Sequence, residues 1–313
     1  MIDRQGRGVN YLRLSLTGQC NLRCSYCLPA GLIQPNSDML CEDDFVFIVA
    51  AAARAGIERV RLTGGEPLLV PYLPSLVARI AAMPGIRDIA LTTNGVDLSE
   101  SAVELKKAGL TRVNISLDSL DPQRYRDITR GGRLASALSG VWSALGAGLS
   151  PVKINCVVIG GVNDDEIADY VALTMRHPLS VRFIELMPFG ECAEWPPERF
   201  VPMDEIIAGI GSLESAVTEG AGPANVYRVP GAVGTVGFIQ GVSRHFCGTC
   251  NRLRITSQGK IRPCLFADDE VDMSEAIRNR DIDLALTLMS DALMHKPDRM
   301  SVQRKKKMAE IGG

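Results

Sequence analysis

Six of the chain's nine cysteines fall into two triads, one near each end. Cys20, Cys24 and Cys27 form a C-x3-C-x2-C run, while Cys247 and Cys250 form C-x2-C with Cys264 further on. Thiolates are the usual ligands of iron–sulfur clusters and of structural zinc, and both sites normally take four. Three protein ligands leave one metal position open to a molecule that is not protein. Two such centres suggest one that handles a cofactor and another that handles a substrate. Spacing alone leaves the second triad open to a zinc knuckle completed by His245, two residues before Cys247. Cys41, Cys156 and Cys192 stand alone and read as small buried or half-buried side chains.

The elements that must position these thiols follow a steady alternation. Short runs rich in Val, Ile and Leu at residues 11–16, 59–62, 88–92, 112–117, 152–158 and 181–186 read as strands. Helical patterns fall between them, among them residues 43–54, 99–108, 133–145 and 165–175. Asp97 with Ser99, Asp121 before Pro122, and Asn163-Asp164 before Glu166 supply starting caps. Repeated βα units of this length predict an α/β fold built on a parallel sheet. Six units are too few for a closed eight-stranded barrel, so the expectation is a partial (β/α)6 TIM-type barrel. In such barrels the active site gathers at the C-terminal strand ends. The distinctive sequences fall there: Cys20 to Cys27, then Thr63-Gly64-Gly65-Glu66-Pro67, Thr92-Thr93-Asn94-Gly95, Ser116-Leu117-Asp118 and Glu185-Leu186-Met187-Pro188. One functional face is therefore expected.

The rhythm breaks at Trp195-Pro196-Pro197 and over the Gly/Pro-rich residues 209–223. Short alternating segments follow at 227–229, 234–239 and 253–256, with 257–260 as a hairpin turn. Residues 271–289 read as a last helical region before a basic tail ending in Gly312-Gly313. The expected division is a barrel over residues 1–215 and a smaller C-terminal α+β domain over 216–313.

With 313 residues, 46% of them apolar, the chain can bury a large core. A net charge of −2 argues against bulk electrostatic binding to nucleic acid or an anionic membrane, so anion binding must come from a local cluster of Arg and Lys. The longest apolar run, residues 45–53, is far too short to span a bilayer. The N-terminus carries no export signal, so the cysteines read as metal ligands and thiols of a reducing cytoplasm.

The first triad, with Tyr26 before its last cysteine and Gly64-Gly65-Glu66-Pro67 one βα unit later, resembles the signature of the radical S-adenosylmethionine (SAM) superfamily. The second triad with Arg252 and Arg254, the Arg13-Leu14-Ser15 strand, Arg182-Phe183-Ile184-Glu185 and the terminal Gly-Gly are similar to the MoaA family, the GTP 3′,8-cyclases of molybdenum cofactor biosynthesis. The resemblance covers essentially the whole chain and implies two [4Fe-4S] clusters, on Cys20, Cys24 and Cys27 and on Cys247, Cys250 and Cys264. It assigns SAM contacts to Tyr26, Gly65, Ser116 and Met187. It assigns GTP contacts to Arg13, Arg61, Thr92, Lys153, Arg252, Leu253 and Arg254, and a catalytic role to Gly312 and Gly313.

The implied reaction begins when a 5′-deoxyadenosyl radical removes the ribose 3′ hydrogen of GTP. The C3′ radical then closes onto C8 of guanine, and one electron and one proton quench it to 3′,8-cyclo-7,8-dihydro-GTP. The implied partners are an external electron donor and the cyclic pyranopterin monophosphate synthase that takes the product; a homodimer is compatible with the pattern. One departure stands out: Gly18-Gln19 precede the first cysteine where the family commonly has Asp-Arg. The competing readings are a radical SAM enzyme of another kind, such as a peptide-modifying maturase with an auxiliary cluster, a nucleic-acid-binding metal module, and an unreactive SAM-binding scaffold.

Overall fold

The computed structural model describes residues 1–27, 40–188, 190–216, 222–267 and 269–299. Its centre is a parallel sheet of β1 (Tyr11–Ser15), β2 (Arg59–Thr63), β3 (Asp88–Thr93), β4 (Arg112–Ser116), β5 (Val152–Val158) and β6 (Leu179–Glu185). The connecting helices are α1 (Glu42–Arg54), α2 (Leu73–Ala81), α3 (Leu98–Ala108), the pair α4 (Pro122–Thr129) and α5 (Leu134–Gly146), and α6 (Ile167–Arg176). This is the expected partial barrel. Asp121 caps α4 by accepting from Arg124 N at 2.7 Å, with Pro122 in the first turn where no N–H is needed.

The strands alternate strictly. In β1, Leu12 and Leu14 pack under the helices and are fully buried, while Tyr11 and Arg13 line a lumen. In β2 Val60 and Leu62 face the helices and Arg59, Arg61 and Thr63 the lumen; in β4 Val113 and Ile115 oppose Arg112, Asn114 and Ser116. Period two thus sends one face of each strand to an apolar core and the other to a polar interior. Each buried aliphatic side chain adds roughly 1.5–3 kcal/mol.

After α7 (Met203–Ile210) come β7 (Glu214–Ser215), β8 (Asn225–Arg228), β9 (Thr235–Ile239), β10 (Arg252–Ile255), β11 (Lys260–Arg262) and β12 (Val271–Asp272). These strands build no sheet of their own. The single 12-stranded sheet runs β12-β11-β10-β1-β2-β3-β4-β5-β6-β9-β8-β7. β10 joins β1 in parallel and β9 joins β6 in parallel, so residues from the last third of the chain extend the barrel on both flanks. The expected boundary at residues 215/216 therefore marks no break in the sheet.

The hairpin expected at 257–260 is present. Thr256 N donates to Lys260 O, Gly259 N donates to Thr256 O, and Gly259 takes a left-handed φ of 77° that side chains disfavour. The last helical region is corrected. Residues 271–272 are β12, and two helices follow, α8 (Ser274–Asn279) and α9 (Ile282–Met294). The chain breaks between them at Arg280, with φ 53°, and Asp281 caps α9 through Leu284 N at 2.9 Å.

Candidate active site

A cavity of ≈ 710 Å³ occupies the lumen. Its walls include Arg13, Arg61, Lys153, Arg182, Arg252 and Arg254, and the thiols Cys20, Cys24 and Cys27 line one end. The first triad follows the C-terminal end of β1. In the second, Cys247 and Cys250 precede the N-terminal end of β10, whose Arg252 pairs with Tyr11 at the start of β1, and Cys264 follows β11, which returns antiparallel to β10. The two triads therefore lie toward opposite ends of β1, a strand of roughly 15 Å at ~3.3 Å per residue. The expectation of a single functional face is corrected: the site runs from one end of the barrel to the other.

At the C-terminal end, backbone holds backbone. Gly65 N donates to Thr17 O at 2.7 Å, and Glu66 N donates to Gln19 O at 2.6 Å. A Cβ on Gly65 would stand 2.1 Å from Gln19 O, so only glycine fits. The Gly18-Gln19 departure leaves this junction intact because carbonyls, which any residue supplies, make it. Glu66 accepts from Thr93 Oγ1, Asn94 N and Leu68 N at 2.7, 2.7 and 3.0 Å. Burial nonetheless pushes its carboxyl up to about 7. Tyr26 donates its hydroxyl to Asp118 Oδ2 at 2.6 Å, and Val157 N donates to Asp118 Oδ1 at 2.9 Å. Burial lifts Asp118 to about 6. Burial, then Asp118 and the other two thiols of the triad, pushes the Cys24 thiol far up, so charge-neutralising metal would suit it.

The lumen is cationic. Burial, then Arg182, Arg112 and Arg61, pushes Lys153 down to about 6. Burial and neighbouring arginines bring Arg182 and Arg254 to about 10. Burial, then Arg254 and Arg61, pushes Arg13 well below its ordinary range. Among the described residues, no carboxylate forms an ion pair with Arg61, Lys153, Arg182, Arg252 or Arg254. Buried Arg182 Nε, Arg252 Nε and Arg254 Nη1 have no hydrogen-bond partner among the described residues. Stacked buried guanidinium groups with unmet donors fit a multiply charged anion.

Tyr11 ties the floor together. Its hydroxyl accepts from Arg61 Nε at 2.6 Å and from Arg112 Nη2 at 3.4 Å, and β1 and β4 are not sheet neighbours, so this contact crosses the lumen. Burial pushes the phenol up, but Arg61 and Arg112 outweigh it and hold it below its ordinary value. Arg61 also donates to Thr92 Oγ1 at 3.1 Å, and Asp88 pairs with Arg112.

Ser116 and Met187 line the cavity with Tyr26 and Gly65. Leu253 does not: its side chain is fully buried in the core beside Leu12, pointing away from the site. What Leu253 can offer the site is its backbone. Gly312 and Gly313 lie outside the described residues. Tyr11, Arg112, Asn114, Asn155 and Arg182 line the cavity but were not singled out as contacts. The available signal was period two: Tyr11, Arg112, Asn114 and Asn155 each stand two or four residues from a named site residue, and Arg182 stands opposite Asn155 in register.

The second triad shares a smaller cavity of ≈ 50 Å³, lined by Cys247, Cys250 and Cys264 with Arg7, Arg252, Arg254 and Lys296. His245, the ligand a zinc knuckle would need, is exposed, does not line it, and contacts Gly241 O at 3.1 Å. Among the described residues, no group of three or more Cys, His, Asp or Glu side chains forms a ready single-ion site. Three thiols around one cavity are a donor set that suits an iron–sulfur cluster, and His245 does not stand where it would complete a zinc site.

Residues 14–174 match the model of the radical SAM superfamily, and residues 179–302 match that of Molybdenum Cofactor Synthesis C. The GTP 3′,8-cyclase of Alkaliphilus oremlandii is 45% identical over 321 residues, covering 100% of both chains. That of Pelotomaculum thermopropionicum is 47% identical over 328 residues with the same coverage. The chain belongs to the GTP 3′,8-cyclase family. Among solved structures, SuiB of Streptococcus suis bound to S-adenosylmethionine aligns with TM-score 0.60 at 16% identity, covering 92% of this chain and 65% of that one. Native anSMEcpe with bound AdoMet aligns at 0.58 and 14%, covering 91% and 81%. At those identities the likeness establishes the fold alone, that of a radical SAM partial barrel. The peptide-maturase alternative gains nothing from it, whereas the cyclases match along their full length. Among the described residues no helix is long and apolar enough to cross a membrane.

Proposed function

We infer that this chain is a radical SAM GTP 3′,8-cyclase acting early in molybdenum cofactor biosynthesis. It uses S-adenosylmethionine and a [4Fe-4S] cluster, for which Cys20, Cys24 and Cys27 are the ligands. The observation that carries the reading is a cationic lumen with a three-cysteine site toward each end. When bound, the cluster and SAM supply the radical that removes the ribose 3′ hydrogen. The chain's own residues do the rest. Gly64 and Gly65 admit the methionyl group by backbone, Tyr26 is fixed by Asp118, and Ser116 and Met187 complete the SAM walls. Arg13, Arg61, Thr92, Lys153 and Arg182 hold the triphosphate, which must sit where several cations converge. Arg252 and Arg254 stand between that anion and the second triad.

A second four-iron cluster on Cys247, Cys250 and Cys264, contacting the guanine end, is part of the same reading. The same reading gives Gly312 and Gly313 a catalytic role. Enclosure by the barrel and its lateral strands keeps water from a reactive intermediate. The remaining expectations are a cytoplasmic protein, possible as a homodimer, fed by an external electron donor and followed by cyclic pyranopterin monophosphate synthase.

The test is anaerobic incubation of reconstituted protein with GTP, SAM and dithionite. Release of both 5′-deoxyadenosine and 3′,8-cyclo-7,8-dihydro-GTP supports the reading. 5′-Deoxyadenosine without the cyclised nucleotide would keep the radical chemistry and reject the substrate.

A further inference from the structure

The second triad is gripped by two buried cations that the reaction above does not use. Lys296 follows α9 and is only 3% exposed. Its Nζ donates to Arg252 O at 2.5 Å and to Pro263 O at 2.9 Å. Arg252 lies two residues after Cys250, and Pro263 immediately precedes Cys264. Arg7 takes the remaining arm: its Nη1 donates to Cys247 O at 2.8 Å. Its Nη2 donates to Pro297 O at 3.1 Å, which joins the two cations. Asp3 holds Arg7 from behind, through Nε at 2.5 Å and the backbone N at 2.9 Å. A short N-terminal loop presents this pair, closed by a bridge between Ile2 and Gly8 and by Val9 N donating to Met1 O.

Two charged side chains therefore reach the backbone beside all three cysteines, from segments more than 200 residues apart in the first case and about thirty in the second. A buried cation bonded to carbonyls alone is costly, since dipoles replace water imperfectly, and among the described residues no carboxylate forms an ion pair with Lys296. A cluster ligated by three thiolates carries net negative charge. Both cations line its cavity.

We propose that Arg7 and Lys296 form a clasp that positions the three arms of the second triad and supplies the positive charge that holds an anionic cluster there. They are positioning residues, acting through the backbone and the local field. The proposal rests on the second-cluster reading above. It adds that the N-terminal loop and the segment after α9 are parts of that metal site.

The test uses the full-length reconstituted chain and counts iron and sulfide, with the first cluster as internal control for folding. Wild type should carry the iron of two four-iron clusters. Lys296→Met should keep the first cluster and its SAM-dependent signal, while chelator strips the second roughly 10–100-fold faster, the usual scale for losing an outer-shell partner. Lys296→Arg should restore retention. Lys296→Gln, which keeps a hydrogen bond without the charge, should lower the second cluster's reduction potential. If Lys296→Met also loses the first cluster, Arg7→Gln decides by the same counts. Wild type with two clusters and variants with unchanged release rate and potential would overturn the clasp alone. Wild type with iron for one cluster would overturn the second-cluster reading and the clasp with it.

Discussion

Lys153 offers a quantitative handle on the lumen. Burial and three surrounding arginines bring its ligand-free pKa to about 6, against an ordinary 10.5. At pH 8 only about one ligand-free molecule in a hundred carries the charge. A bound triphosphate replaces like-charge repulsion with attraction and returns the lysine toward its ordinary value. Nucleotide binding at pH 8 should then take up about one proton, and affinity should fall by about 1.4 kcal/mol per pH unit above 7. The window matters, because phosphate's own last ionisation lies near pH ~6 and is complete by pH 7.5. Arg182 and Arg254, at about 10, stay charged throughout and add no proton. The assay is anaerobic titration calorimetry of GTP at pH 7.5–8.5 in buffers of differing ionisation enthalpy. Lys153→Met should abolish the uptake. The linked stability follows with its own sign. The unfolded lysine holds its proton more tightly than the folded one, so the lysine's contribution rises with pH between about 6 and 10.5 and is flat below. Buffer-independent binding enthalpy, or equal uptake in Lys153→Met, would refute the placement of the triphosphate beside this side chain.

The other expectations are more direct. Gly65→Ala puts a methyl 2.1 Å from Gln19 O, and overpacking of roughly 1–3 kcal/mol should weaken SAM binding about tenfold to a hundredfold in equilibrium dialysis; unchanged affinity would remove Gly65 from the contact set. Tyr11→Phe removes the acceptor of Arg61 Nε, so GTP binding should weaken by about 1 kcal/mol while guanosine binding holds; equal losses for both would mean that Tyr11 supports only the fold. Deleting Gly312 and Gly313 should spare SAM binding and sharply reduce cyclised product, and full cyclisation by the truncated chain would release the tail from any role.

What could be read from residues alone was whatever is encoded locally. The cysteine spacings, the Gly-Gly-Glu-Pro turn and the six strand runs each lie within a few neighbouring positions. The lateral closure of the barrel does not. β9 and β10 join flanks built more than fifty residues earlier, and parallel pairing leaves no turn motif between partners. Arg112 and Tyr11 meet across the lumen only because the sheet curves through β2 and β3 between them. Arg182 was within reach, since it alternates with Val181 and Phe183 in a strand already identified. The break at Arg280 gave no Gly or Pro warning, so one helix was expected where two stand. Arg7 could not be connected to Cys247 by any local signal.

The parallel register explains why so much positive charge can share one lumen. Arg254, Arg13 and Arg61 occupy one level across β10, β1 and β2, because Arg13 pairs with both of the others. Neighbouring strands stand about 4.8 Å apart, so the guanidinium groups cannot all avoid one another. Each arginine is flanked by aliphatic residues that fix its strand against the helices, Leu12 and Leu14 around Arg13, Val60 and Leu62 around Arg61. A local rearrangement that relieved the repulsion would have to turn those side chains out of the core, losing roughly 1.5–3 kcal/mol for each. The apolar face thus enforces the strain of the polar face. Binding an anion relieves it without moving a strand, and in this way a chain of net charge −2 can present a cationic site. A preference for a multiply charged anion would then reside in the sheet itself, and substituting any one cation should weaken anion binding less than the removal of its formal charge suggests, because it also relieves its neighbours.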